Sequence, residues 1–374
     1  MRLLVYGLIL LLLVRCKEHS EPSEKPTNGT ISYAKGFDIS YDGSYTKLFL
    51  KKNAGTEDSE SEEFLLLGKN EKMPDGVDPK QVIRIPVQKV VVTSTTHIPM
   101  MELLNEENTL IGFPNLTYIS SERTRKRIAK GEVAELGNDD NLNTEILLEL
   151  HPEVVMTIAT PLANPQEKIL KNAGIIVLPN GDWLEETPLG RAEWIKFFGA
   201  LYNKDKEADS IFRAIESSYL EAKKIAQHAL KKPTVLSGAL TKEIWYLPAG
   251  QSYMAHFLQD AATDYLWADT TGKGSLSLSF ENVFEKARQA DLWIAPGHYK
   301  SMDELQEVNR HYAEFEPFKT KSVYSFATVT GDNGGSLFYE RAPIQPHIVL
   351  KDLIKTAHPE LLPGYQPFFL KPLD

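Results

Sequence analysis

One cysteine in 374 residues leaves no internal disulfide to hold the chain together. Long apolar runs are almost as scarce: there is one, at the N-terminus, and mean hydropathy is −0.29, which excludes a multi-span membrane protein. Positive charge is in short supply too. Lys and Arg number 41 against 51 Asp and Glu, a net charge of −10 with no long basic run, so the surface is not built to coat nucleic acid. The chain has no GxSxG, no GxxxxGK[ST], and no GxGxxG after a strand, so serine hydrolase, NTPase and dinucleotide signals are missing. Its nine histidines are scattered, without an HxxxH pair to mark a free-metal site. What remains is globular composition, 42% hydrophobic and 10% aromatic, with length for two lobes that each have a core.

The single cysteine stands at a telling place. Residues 1–16 read MRLLVYGLILLLLVRC, an apolar stretch too short to span a bilayer, which takes roughly 20 residues as a helix. It suits the apolar region of a secretory signal over residues 1–15. A signal ending on cysteine resembles a bacterial lipoprotein signal, which implies Cys16 as the lipidated first mature residue, although Arg15 stands where small residues are usual. The other reading is a short anchor with an unrelated cysteine. Residues 16–30 are polar and rich in Pro, Ser and Glu, as in a flexible tether.

From residue 31 to 87 short alternating runs and the Asp42-Gly43 pair predict an antiparallel β meander. The apolar run QKVVVTST then opens a region, 88–186, in which strands alternate with ten-residue helices, as in a parallel sheet with right-handed crossovers. Residues 187–231 carry no strand signal. Trp194, Phe197, Phe198 and Leu201 share one face, and Ile211, Ile215, Tyr219 and Ala222 continue it, so the spacing predicts one backbone helix of about forty residues. After Pro233 the alternation resumes and fills 232–374, a second α/β lobe closed by a Pro-rich tail expected to be irregular.

The two lobes contain related segments. TEILLELHPEVVMTI, starting with Glu145, and FENVFEKARQADLWI, with Glu281, each run from helix to strand. Equivalent lobes on one long helix form a clamshell, and ligands of open α/β sheets bind at strand carboxyl ends, so facing lobes enclose one site. These segments, VVVTSTTHIPMMELL, the spine helix and the ending RAPIQPHIVLKDLIKTAHPELLP resemble the substrate-binding proteins of ABC importers for iron-siderophores, haem and cobalamin, over roughly residues 80–360.

That resemblance implies a monomeric binding protein, not an enzyme, without cofactor. It would carry a ferric siderophore, or cobalamin or haem, to a dimeric ABC permease in the periplasm or cell envelope. It further implies that one glutamate per lobe docks on the permease, here Glu145 and Glu281. The same glutamates also suit the first turn of any helix, where they complement its dipole. Family clefts are lined by aromatics and an arginine. The loops after predicted strands offer His97, Trp183, Trp245, Tyr246, Tyr253, Tyr299, Tyr339 and Arg341. Arg341 is the expected partner of an anionic chelate, because a guanidinium forks onto carboxylates. A cell-envelope hydrolase with paired carboxylates is the rival from another class.

Overall fold

The computed structural model describes residues 31–43, 45–51, 61–138, 141–160 and 165–374. The expected signal, Cys16 and the tether lie outside the described residues, as do positions 161–164 of an expected cleft loop. Among the described residues no helix is long and apolar enough to cross a membrane.

The N-terminal sheet consists of Phe37–Asp42, Tyr45–Lys51, Ser61–Gly68 and Val82–Ile85, paired in that order. The first three strands form the predicted antiparallel meander. The fourth runs parallel to the third, because residues 69–81 carry the chain back along the sheet instead of turning it. Strict alternation in Tyr45–Lys51 turns Thr46, Leu48 and Leu50 inward. They join the core of the first lobe, where Phe37 packs on Trp194 with centroids 4.7 Å apart.

The first lobe's sheet is parallel throughout, with spatial order Ile176–Asn180, Val154–Ile158, Val90–Val92, Leu110–Phe113, Ala134–Glu135. Both faces are covered, which is why its strands read as continuous apolar runs. The second lobe repeats the plan with Asp264–Tyr265, Thr234–Ser237, Leu292–Ile294 and Val323–Ser325, all parallel. Its last strand, Lys371–Pro372, is antiparallel and comes from the tail expected to be irregular. Asp352, fully buried, holds that tail by accepting from the Phe368, Phe369 and Leu370 amides and the Tyr365 hydroxyl. The second lobe also carries a small antiparallel sheet, Ala239–Thr241, Ile244–Pro248 and Ser275–Leu278.

The spine is broken where one forty-residue helix was expected. Pro188–Glu193, Ile195–Leu201 and Asp205–Ala226 follow one another, the last with 22 residues. Asn203 takes a left-handed conformation (φ 55°), and the Lys204 amide closes back on the Gly199 carbonyl at 2.7 Å, a helix-ending turn. Apolar periodicity runs straight through such a turn, so spacing could not reveal it. Two buried carboxylates fasten the start of the body to this spine. Glu193 accepts from the Ser32, Tyr33 and Ala34 amides, and Glu185 from the Lys35 and Gly36 amides.

Candidate functional site

In each sheet the chain order reverses at one place. In the first lobe that switch lies between Val90–Val92 and Val154–Ile158, and in the second between Thr234–Ser237 and Leu292–Ile294. Crossovers diverge there and leave a crevice beyond the strand ends, where open α/β sheets take their ligands. The strand ends are tied across each switch. The Ile158 amide donates to the Thr93 hydroxyl at 3.2 Å, and the Gly238 amide donates to the Ala295 carbonyl at 3.2 Å. Gly238 has φ 75°, and a Cβ there would lie 1.9 Å from the Tyr246 carbonyl oxygen, so only glycine fits.

A cavity of about 250 Å³ opens at the first lobe's switch and is bordered on its far side by the second lobe. Thr93, Ser94, Thr95, Phe113, Tyr118 and Ile158 line it from one side, and Gly335, Ser336, Tyr339 and Glu340 from the other. A strap from the second lobe, residues 330–336, crosses to the first. Gly331 lies so close to Ser120 that a Cβ would come within 2.6 Å of the serine Cβ. Behind the strap the Ser120 amide donates to Glu340 at 2.7 Å, and the Ser120 hydroxyl donates to the Gly335 carbonyl at 3.4 Å. Glu340 is 2% exposed, and its other oxygen has no hydrogen-bond partner among the described residues. Burial pushes its carboxyl up to about 7, helped by the nearby charge of Glu102 and opposed by the Ser120 and Ser121 amides and by Arg341.

The candidate residues divide sharply. Tyr339 lines the cavity, half exposed, with the His298 ring 5.9 Å away. Trp183 stands just past the strand Ile176–Asn180, 42% exposed, its indole N–H donating to the Ala159 carbonyl at 2.8 Å. Tyr299 follows Leu292–Ile294, its hydroxyl 3.5 Å from the Leu240 carbonyl. Tyr246 is exposed on the small antiparallel sheet, outside the cavity lining.

Three expectations are corrected. Trp245 is fully buried between Trp293, Tyr312 and Phe315, because Ile244–Pro248 is a strand and alternation sends Trp245 in where Tyr246 goes out. His97 opens the helix His97–Leu103 and faces Phe198 of the spine, wholly buried. Neither of its ring nitrogens finds a hydrogen-bond partner, and burial lowers its pKa against the pull of Asp182. Tyr253 lies under the Arg191 guanidinium, 3.6 Å from its ring centroid, with its hydroxyl buried and pushed up to about 12 by desolvation. Arg341 lies outside the lining of this cavity but on a larger one between the same two lobes. It ends the helix Leu337–Arg341, two residues and so about 200° round from Tyr339, and its guanidinium sits 5.1 Å from the Phe368 ring. There it lines a neighbouring cavity of about 460 Å³ with Glu102, Ser121 and Asp332.

Glu340 is the site residue that sequence reasoning passed over, although it stands between two candidates. A buried glutamate has no local signature, and here burial comes from a segment 220 residues away. Glu145 and Glu281 occupy matching places, each exposed at the second position of a helix capped by Asn143 or Ser279. Each helix leads to the strand that flanks the switch in its lobe. The Glu281 carboxyl is held below the usual range by its own backbone amide and the Ser279 side chain.

Residues 90–328 match the sequence profile of a family described as periplasmic binding protein. The chain belongs to the periplasmic binding protein family. Members of this family are substrate-binding transport proteins. An uncharacterized lipoprotein of Methanocaldococcus jannaschii is 28% identical to this binding protein over 371 residues, covering 93% of the chain and 87% of the relative. A second uncharacterized lipoprotein of that organism is 27% identical over 82% of the chain and 78% of its own length. Among solved structures, a periplasmic binding protein from Veillonella parvula superposes with a TM-score of 0.61 at 14% identity, covering 89% of this chain and 98% of that one. A periplasmic heme binding protein from Pseudomonas aeruginosa gives 0.59 at 17% identity, covering 77% and 98%. The ABC-type Fe3+-hydroxamate transport system protein from Saccharomonospora viridis gives 0.55 at 14%, covering 73% and 94%. At such identities these likenesses speak for the fold: two α/β lobes with largely parallel sheets on a helical spine.

Proposed function

We propose that this protein is a lipid-anchored extracytoplasmic binding protein that captures a ferric chelate and delivers it to an ABC permease. The observation that carries the reading is the cavity at the first lobe's topological switch, bordered by the facing lobe, in a chain of this family. Solved neighbours named for heme and for Fe3+-hydroxamate point to metal chelates. The lipoprotein names of the two relatives favour an anchor, for which Cys16 is the residue available. The ligand meets Tyr339 and the hydroxyls of Thr93, Ser94 and Thr95, with Trp183, Tyr246 and Tyr299 at the rim. Glu145 and Glu281 meet the permease, a role favoured by their exposed, equivalent positions in the two lobes. Two separated carboxylates orient a partner electrostatically without a large buried interface.

The test is titration of the chain beginning after Cys16 with a ferric hydroxamate, a ferric catecholate, haem and cobalamin, followed by tryptophan fluorescence and calorimetry. Saturable one-to-one binding of a ferric siderophore is the expected outcome. Haem is the second reading, favoured by the Pseudomonas neighbour. Failure of every chelate to bind would overturn the proposal.

A further inference from the structure

Among the described residues the cavity's lining contains no lysine, arginine or histidine, and its one carboxyl is that of Glu340. The guanidinium that an anionic chelate would want belongs to Arg341, which is absent from this lining; it sits 5.1 Å from the Phe368 ring and borders the adjoining cavity. The adjoining cavity, which shares Glu340, is acidic on balance. Glu102, Glu122 and Asp332 line it against Arg123 and Arg341, and Arg123 is already paired with Glu107.

We infer that Glu340 sets the charge class of the ligand, so that the cleft takes a neutral or cationic chelate and rejects a polyanionic one. The inference rests on the proposed capture of a metal chelate and specifies which kind. A ligand's outer charge would be enclosed between the lobes, where water screens poorly and like charges repel far more strongly than at an open surface. Each negative charge brought near the Glu340 carboxylate weakens binding on the order of tenfold. A neutral trishydroxamate has no such penalty, and its carbonyl oxygens can accept from the Thr93, Ser94 and Thr95 hydroxyls. A cationic chelate gains by attraction.

The state of Glu340 itself is pH-dependent, since burial carries its carboxyl up to about 7. The charged groups that face it are Glu102 from the helix His97–Leu103 and Arg341 from its own helix, with Glu122, Arg123 and Asp332 around the shared cavity. Protonation below pH 7 removes the repulsion, so a polyanionic chelate binds better as pH falls. A neutral one is almost indifferent.

Calorimetry on the chain beginning after Cys16 tests this with three probes: a neutral ferric trishydroxamate, a ferric trishydroxamate bearing an ammonium, and a trianionic ferric triscatecholate. Each is titrated at pH 6 and pH 8. At pH 8 the neutral and cationic probes bind at least about tenfold more tightly than the trianion, and the gap narrows at pH 6. Glu340→Gln narrows the gap at pH 8 and removes its pH dependence. A trianion that binds as well as the neutral probe at pH 8 overturns the inference, as does a gap that Glu340→Gln leaves unchanged. If the variant does not fold, the pH series on the native chain decides alone. Failure of all three probes, with haem and cobalamin also silent, sinks the capture reading instead.

Discussion

Of the five tryptophans, Trp194, Trp245, Trp267 and Trp293 are buried and Trp183 alone stands half open beside the strand ends. A ligand in the cleft therefore perturbs mainly one indole. Trp183→Phe should abolish most of the ligand-induced fluorescence change while one-to-one binding persists by calorimetry. An undiminished signal would place the ligand elsewhere. The same contrast explains what could be read in the residues and what could not. Composition of a loop says that aromatics are present, but orientation depends on register. Trp245 and Tyr246 are neighbours that face opposite ways across one strand, and Tyr339 and Arg341 sit on opposite sides of one helical turn. Until the strand and the helix were placed, all four were equivalent candidates.

At the level of elements, the repeated helix–strand segments were legible because their signals are local: a capping residue, a glutamate in the first turn, then an apolar strand. Asn143 and Ser279 cap as such residues do, accepting from the Ile146 and Asn282 amides at 3.1 and 3.3 Å. The break in the spine left one local sign, the loop-like Asn203-Lys204 pair, but the apolar face runs on across it and so the spacing still reads as one helix. The edge strand Lys371–Pro372 was not legible, since its pairing depends on the buried Asp352 and on a sheet formed elsewhere. The exposed, paired placement of Glu145 and Glu281 leads to a prediction about transfer. Reversal of both to arginine should abolish permease-dependent uptake and leave ligand affinity within about twofold, since neither lines the cavity. Loss of affinity in purified protein would refute the docking role.

Among the described residues the lobes are joined by the spine, by the Lys273–Glu186 ion pair at 2.5 Å, by the strap at residues 330–336, and by Glu340 on the Ser120 amide. The last of these makes stability depend on pH in a direction opposite to that of an acid whose pKa is lowered on folding. The folded pKa of Glu340, about 7, exceeds its ordinary value of 4.5, so its contribution is fully present below about pH 4.5 and is lost as pH rises through 7. Thermal unfolding of the native chain should fall more steeply between pH 5 and pH 7.5 than that of Glu340→Gln. Parallel curves would show that the carboxyl does not titrate in this window.

The attachment of residues 32–36 to Glu193 and Glu185 decides where a mechanical load enters. A pull on the chain ahead of Ile31 arrives at the spine between the lobes, not at the rim of either one. On the proposed anchoring, tension from the N-terminal side would therefore have little leverage to pry the clamshell apart, and the load would fall on the pivot, not on the cleft.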